Sequence, residues 1–139
     1  MSDPIGQDVV IGGINLGAQT RLVTFSQPLT GAAAPIASPK IILRLGVGDV
    51  VDIVYWDDTN NNFVRGQFTI SNIDNLRNGG ISVDDPGGLL NPGDSGSGVF
   101  FNGELIGNLW AINLNGKTGH VSVIPPRTGN NSWATTLVK

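Results

Sequence analysis

The residues best suited to chemistry lie in one stretch, Asn91-Pro92-Gly93-Asp94-Ser95-Gly96-Ser97-Gly98. A serine serves as a nucleophile when a tight turn projects its hydroxyl and nearby backbone N–H groups converge where an acyl oxygen becomes negative. Glycine adopts backbone angles barred to other residues, so with Gly93 and Gly96 in place the N–H groups of Gly93 and Ser95 can aim at one point. The expectation is Ser95 as nucleophile, with Gly93 and Ser95 as oxyanion donors. The same tetrapeptide is also compatible with a plain loop, and its surroundings must decide.

The rest of the chemical inventory is short. His120 is the single histidine, so any imidazole base must be this one. Such a base has to come within about 3 Å of the serine oxygen, or reach it through one water. There are no cysteines, which excludes disulfides, thiol catalysis and zinc thiolate sites, and one histidine makes a His-based metal site remote. Asp52, Asp57-Asp58 and Asp84-Asp85 form no Asp-x-Asp-x-Asp-Gly calcium loop and read as solvated turn acids. No cofactor is expected. The eight Lys and Arg residues are scattered singly in a chain of net charge −3, so no basic stripe is present for nucleic acid. Trp56, Trp110 and Trp133 read as core filling before they read as a ligand platform. Asn130-Asn131-Ser132 matches a glycosylation sequon, too short a match to carry weight.

The elements that would position Ser95 read as strands. Only 14% of the residues are charged, and 20 glycines and 8 prolines accompany many β-branched residues, a composition of short strands and tight turns. Residues 8 to 14 and 20 to 26 flank Asn15-Leu16-Gly17 and read as an N-terminal hairpin ribbon. Residues 27 to 40 hold three prolines and four alanines and read as a connector. Strand candidates then follow at 41 to 45, 49 to 56, 63 to 71, 79 to 84, 97 to 101, 104 to 112 and 119 to 124. The loop from Asp57 to Asn62, the pair Asn102-Gly103 and the triplet Asn115-Gly116-Lys117 supply the reversals. Pro125-Pro126 ends the last strand, leaving 127–139 as a tail. This pattern predicts an all-β single domain over 1–139, a six-stranded antiparallel β-barrel with an N-terminal β-ribbon. No stretch of 18 apolar residues and no export signal at Met1-Ser2-Asp3-Pro4 is present, so a soluble protein without a membrane partner is expected, its compartment open.

The order of motifs around Ser95 resembles the trypsin-like, chymotrypsin-fold serine peptidases. Gly93-Asp94-Ser95-Gly96-Ser97 is followed by Gly98-Val99-Phe100-Phe101, then Asn102-Gly103, then Glu104-Leu105-Ile106-Gly107-Asn108-Leu109-Trp110, as in the family's nucleophile signature and the two strands after it. Upstream, residues 48 to 53 and 64 to 70 look like the opening strands of the family's C-terminal barrel. Downstream, Thr118-Gly119-His120-Val121 is similar to the strand that closes the specificity pocket. The resemblance spans about 41–126, half of the family's double barrel. It implies Ser95 as nucleophile, Gly93 with Ser95 as oxyanion hole, and Asp94 as support of the turn, often paired with a buried amine in the family. It also implies Leu89 at the base of an apolar specificity pocket, with Gly119 beside it. Leu109-Trp110-Ala111-Ile112 stands where the family has its substrate-pairing strand, Ile112 replacing a small residue. On this template His120 alternates with Gly119 and Val121, which turns its ring away from the pocket and makes it unlikely as the general base.

The family's other barrel, with its histidine and aspartate, has no counterpart in the roughly 40 residues before the expected barrel. A serine without its base keeps only a residual rate, several powers of ten below an intact triad. Two classes of function follow: a peptidase-derived module inactive or weakly active alone, or a non-catalytic peptide-binding or structural barrel. Either one leaves an apolar face where the partner barrel would sit, to be covered by the ribbon, by a missing partner barrel or by a second copy in a homodimer.

Overall fold

The computed structural model describes residues 10–17, 19–25, 34–74, 79–115 and 117–125. The 127–139 tail, with Trp133 and the Asn130 sequon, lies outside the described residues, as does Gly116.

β1 (Val10–Gly17) and β2 (Thr20–Phe25) form a two-stranded antiparallel ribbon. The expected reversal at Asn15-Leu16-Gly17 is corrected, because Asn15 pairs with Arg21 and the ribbon closes on Gly17↔Thr20. Closure there leaves a connection of two residues, the shortest common hairpin loop, and lengthens the ladder.

The expected strand at 41 to 45 is also corrected. Ser38-Pro39 starts a helix there, α1 (Pro39–Ile42), because the Ser38 Oγ accepts from the Ile41 N–H at 3.3 Å and proline suits the first helical position. Ile42 and Leu45, three residues apart, then both reach the core. The connector is tied down as well, since Ile36 bridges Leu105 in parallel and the Ala37 N–H donates to the Leu105 carbonyl at 2.9 Å.

Six strands close an antiparallel barrel: β3 (Val50–Asp57), β4 (Asn62–Ile73), β5 (Gly80–Asp84), β6 (Gly98–Phe101), β7 (Glu104–Asn113) and β8 (Thr118–Val123). Their order is β3-β4-β5-β8-β7-β6, closed by Asp52↔Phe100 and Ile53↔Val99. Alternation explains the closure, because every second residue of each strand must find apolar company. Val51, Ile53, Phe68, Ile70, Ile81, Val83, Val99, Ile106, Leu109, Val121 and Val123 fill the interior. Each such side chain contributes about 1.5–3 kcal/mol on burial. Asn102 and Gly103 both take positive φ between the paired residues Phe101 and Glu104, the conformation of a type I′ hairpin. A Cβ on Gly107 would strike the Ser122 carbonyl oxygen, so this glycine lets β7 and β8 approach.

The tryptophan expectation is corrected for the two described residues. Trp56 is half-buried on the outer side of β3, in edge contact with Phe63 at 4.9 Å, and Trp110 is 44% exposed. A six-stranded barrel encloses too narrow a space for indoles once branched aliphatics line it. Among the described residues no helix is long and apolar enough to cross a membrane.

Candidate functional site

The segment between β5 and β6 carries Ser95, and two buried carboxylates shape it. Asp85 is 2% exposed and accepts the N–H groups of Leu89 and Leu90, both at 2.9 Å. Asp94 is 5% exposed and accepts the Asn91 N–H at 2.8 Å and the Trp56 N–H at 3.0 Å. A buried carboxylate is tolerated when its oxygens take N–H donors, and each of these takes two. Asp94 thereby ties the turn to β3 through backbone amides; among the described residues no amine pairs with it. Reading Asp85 as a solvated turn acid is corrected: it folds back over Pro86-Gly87-Gly88 onto its own loop. An aspartate preceding Pro-Gly was the available signal, since such side chains accept from backbone a few residues on.

Pro92–Asp94 form one 3-10 turn, with the Asp94 N–H donating to the Asn91 carbonyl at 2.9 Å. Gly96 follows at φ +93°, the one place where the turn needs glycine's freedom. Beyond it the Gly96 N–H donates to the Leu109 carbonyl at 2.6 Å, and the Leu109 N–H to the Ser97 carbonyl at 2.9 Å, so the turn is stitched along β7.

Ser95 itself is exposed. Its Oγ lies 3.2 Å from the Pro92 carbonyl oxygen and 3.3 Å from the Trp110 carbonyl oxygen, donating to both. One hydroxyl proton is thus shared between two carbonyl acceptors, neither of which can remove it. The Ser95 N–H faces the Pro92 carbonyl at 3.5 Å, directed into the turn at the limit of hydrogen bonding.

His120 sits on β8 between Ser82 of β5 and Ala111 of β7. Gly119 and Val121 are buried and His120 points outward between them, its Nδ1 at 3.1 Å from the Ser82 Oγ. The Trp110 ring lies 6.0 Å from the imidazole, centre to centre. The structure therefore brings Ser95 to Trp110 and Trp110 to His120. No hydrogen bond joins Ser95 to His120 among the described residues.

Of the three residues expected to bind substrate, Leu89 lines two clefts, and Trp110 and Gly119 line neither of them. Gly119 faces the interior, where a Cβ would lie 2.9 Å from Leu90 and 3.1 Å from Leu109. Trp110 lies on β7 at a bulge between Leu109 and Ala111, with its side chain exposed. Leu89, 46% exposed, lines both of these adjoining clefts, of about 380 and 260 Å³, which run toward β4 and β3. Ser95 lines neither of these two.

At the rim of the smaller cleft, the Asp57 carboxylate accepts from the Thr59 N–H at 3.0 Å and from the Asn60 side-chain amide at 2.7 Å. The Asn60 amide in particular holds its pKa below the ordinary carboxylate value. On the outer sheet Asp52 pairs with Arg65 at 2.9 Å. Among the described residues no three His, Cys, Asp or Glu side chains gather as a metal site. Comparison with protein-family models and with curated proteins finds no match for the chain.

Proposed function

We propose that this chain is a single-barrel relative of the trypsin-like serine peptidases that keeps the nucleophile turn and does not cleave peptides on its own. One observation carries the reading: the Ser95 hydroxyl donates to the carbonyls of Pro92 and Trp110, while the chain's one imidazole is engaged with Ser82. Attack on an acyl carbon needs an acceptor for the hydroxyl proton that is basic at neutral pH, and a peptide carbonyl is not. Without that acceptor the rate falls by several powers of ten.

What remains is a binding function, favoured by the course of β7. β6 pairs with β7 as far as Gly98↔Asn108, and the nucleophile turn contacts Leu109 and Trp110. At Ala111 and Ile112 β7 pairs with His120 and Gly119 of β8, and no strand among the described residues is in register with these two on the opposite side, so an extended peptide can add there. Incubation with an active-site-directed fluorophosphonate followed by intact mass tests the reading. The expected result is an unmodified chain and no hydrolysis of a casein substrate; a Ser95 adduct overturns it.

A further inference from the structure

The two clefts adjoin at Leu89, which lines both, and the successive glycines Gly87 and Gly88 line one each, so together they offer a single candidate groove. Its lining is mixed: Leu89 is its exposed apolar side chain, Trp56 is half-buried at one end, and polar residues, among them Gln67, Thr69, Thr59 and Asn91, make up much of the rest. Leu89 is an exposed leucine held in place by a buried carboxylate, because its N–H is bound to Asp85. An apolar side chain pinned outward in a concave setting marks a contact surface.

The charge at the two ends is of one sign. Asp57 and Asp58 line the end beside Trp56, Asp84 lines the other, and no Lys or Arg lines either cleft. Asp58 and Asp84 are exposed and carry no ion pair among the described residues, whose one pair is Asp52 with Arg65. Asp57 is already fixed by its bonds to Thr59 and Asn60, so its charge is held in one place.

We infer that this groove binds an extended peptide segment in which basic residues flank an apolar one. The apolar residue packs on Leu89, one ammonium or guanidinium sits between Trp56 and the Asp57-Asp58 carboxylates, and a second reaches Asp84. A cation over an aromatic face with a carboxylate beside it is favourable twice, through the ring and through the charge. The inference rests on the peptide-binding reading above and names its ligand class, at a face other than the β7 edge.

Fluorescence anisotropy with a labelled peptide of alternating lysine and leucine tests it, against a glutamate–leucine peptide and an uncharged serine–leucine peptide. The lysine peptide is expected to bind more tightly than both, and to weaken with added salt. Exposed ion pairs contribute about 0.5–1 kcal/mol each, so Asp58→Asn with Asp84→Asn should weaken binding by about five- to thirtyfold. Both residues are exposed, and an unchanged circular dichroism spectrum confirms that the variant is folded. Equal affinity for the three peptides, no binding of the lysine peptide, or indifference to the double substitution overturns the inference. Failure of the silent-serine reading is told apart from this by its own readout, covalent labelling of Ser95.

Discussion

The Ser95 hydroxyl rests 3.3 Å from the carbonyl oxygen of Trp110, on the strand that runs beside the turn. That oxygen belongs to a residue at a β-bulge, the one skipped between the pairs Leu109↔Val121 and Ala111↔His120 in the β7–β8 register. The serine proton is thereby directed at a carbonyl that cannot take it up, and not at a base. Trp110→Ala keeps the carbonyl and should leave Ser95 unreactive. Fluorophosphonate labelling of that variant should match the parent.

Asp94 holds the turn shut against β3. Asp94→Ala removes the acceptor of two N–H groups, at Asn91 and Trp56, and leaves them without partners. A loss of about 2–4 kcal/mol is expected, read as a lower urea midpoint at unchanged slope. A shift below about 0.5 kcal/mol would show that the carboxylate does not tie the turn to the barrel.

Ribbon and barrel meet through a small polar clasp. Ser122 is 1% exposed, and its Oγ lies 2.7 Å from the Thr20 Oγ1 and accepts from the Gln19 N–H at 3.2 Å. Thr20 also donates to Asn108 at 2.9 Å. Ser122→Ala should cost about 1 kcal/mol and speed hydrogen exchange at the Gln19 amide, with the barrel amides unchanged. Unaltered exchange at Gln19 would contradict the clasp.

The hairpin loop from Asp57 to Asn62 should loosen in acid. Because the folded pKa of Asp57 is depressed, its stabilising contribution is present above the ordinary carboxylate range and is lost as pH falls through the folded value. Carbon-detected NMR titration should place Asp57 below its midpoint in Asn60→Ala, where the largest cause of the depression is gone. Coincident midpoints would remove this account.

Much of this architecture was legible in the sequence, for reasons that differ by element. The six barrel strands were readable because strict alternation, as in Val51-Asp52-Ile53, meets unambiguous turns such as Asn102-Gly103. Residues 41 to 45 were not, since a short apolar run fits strand or helix and only the Ser38-Pro39 cap decides. Ser95, Gly93 and Asp94 could be singled out from local spacing. The burial of Asp85, the carbonyl partners of Ser95 and the filling of the space over Gly119 by Leu90 are contacts between distant segments, and no local pattern encodes them. Trp56 and Trp110 were misjudged because bulk and hydrophobicity suggest the core, whereas strand parity and a bulge put them outside.

Gly119 offers a direct check on the filled interior. Gly119→Ala places a methyl group within 2.9 Å of Leu90 and 3.1 Å of Leu109. Overpacking of that kind costs about 1–3 kcal/mol. An open pocket over Gly119 would accept the methyl group without loss, and thermal unfolding of the variant distinguishes the two.

The silence of Ser95 is tested most directly by treating the chain with a fluorophosphonate and measuring its intact mass beside Ser95→Ala. The account predicts one mass for both, unmodified apart from the substitution itself. A stoichiometric adduct on the parent chain, mapped to Ser95 and absent from Ser95→Ala, would contradict it.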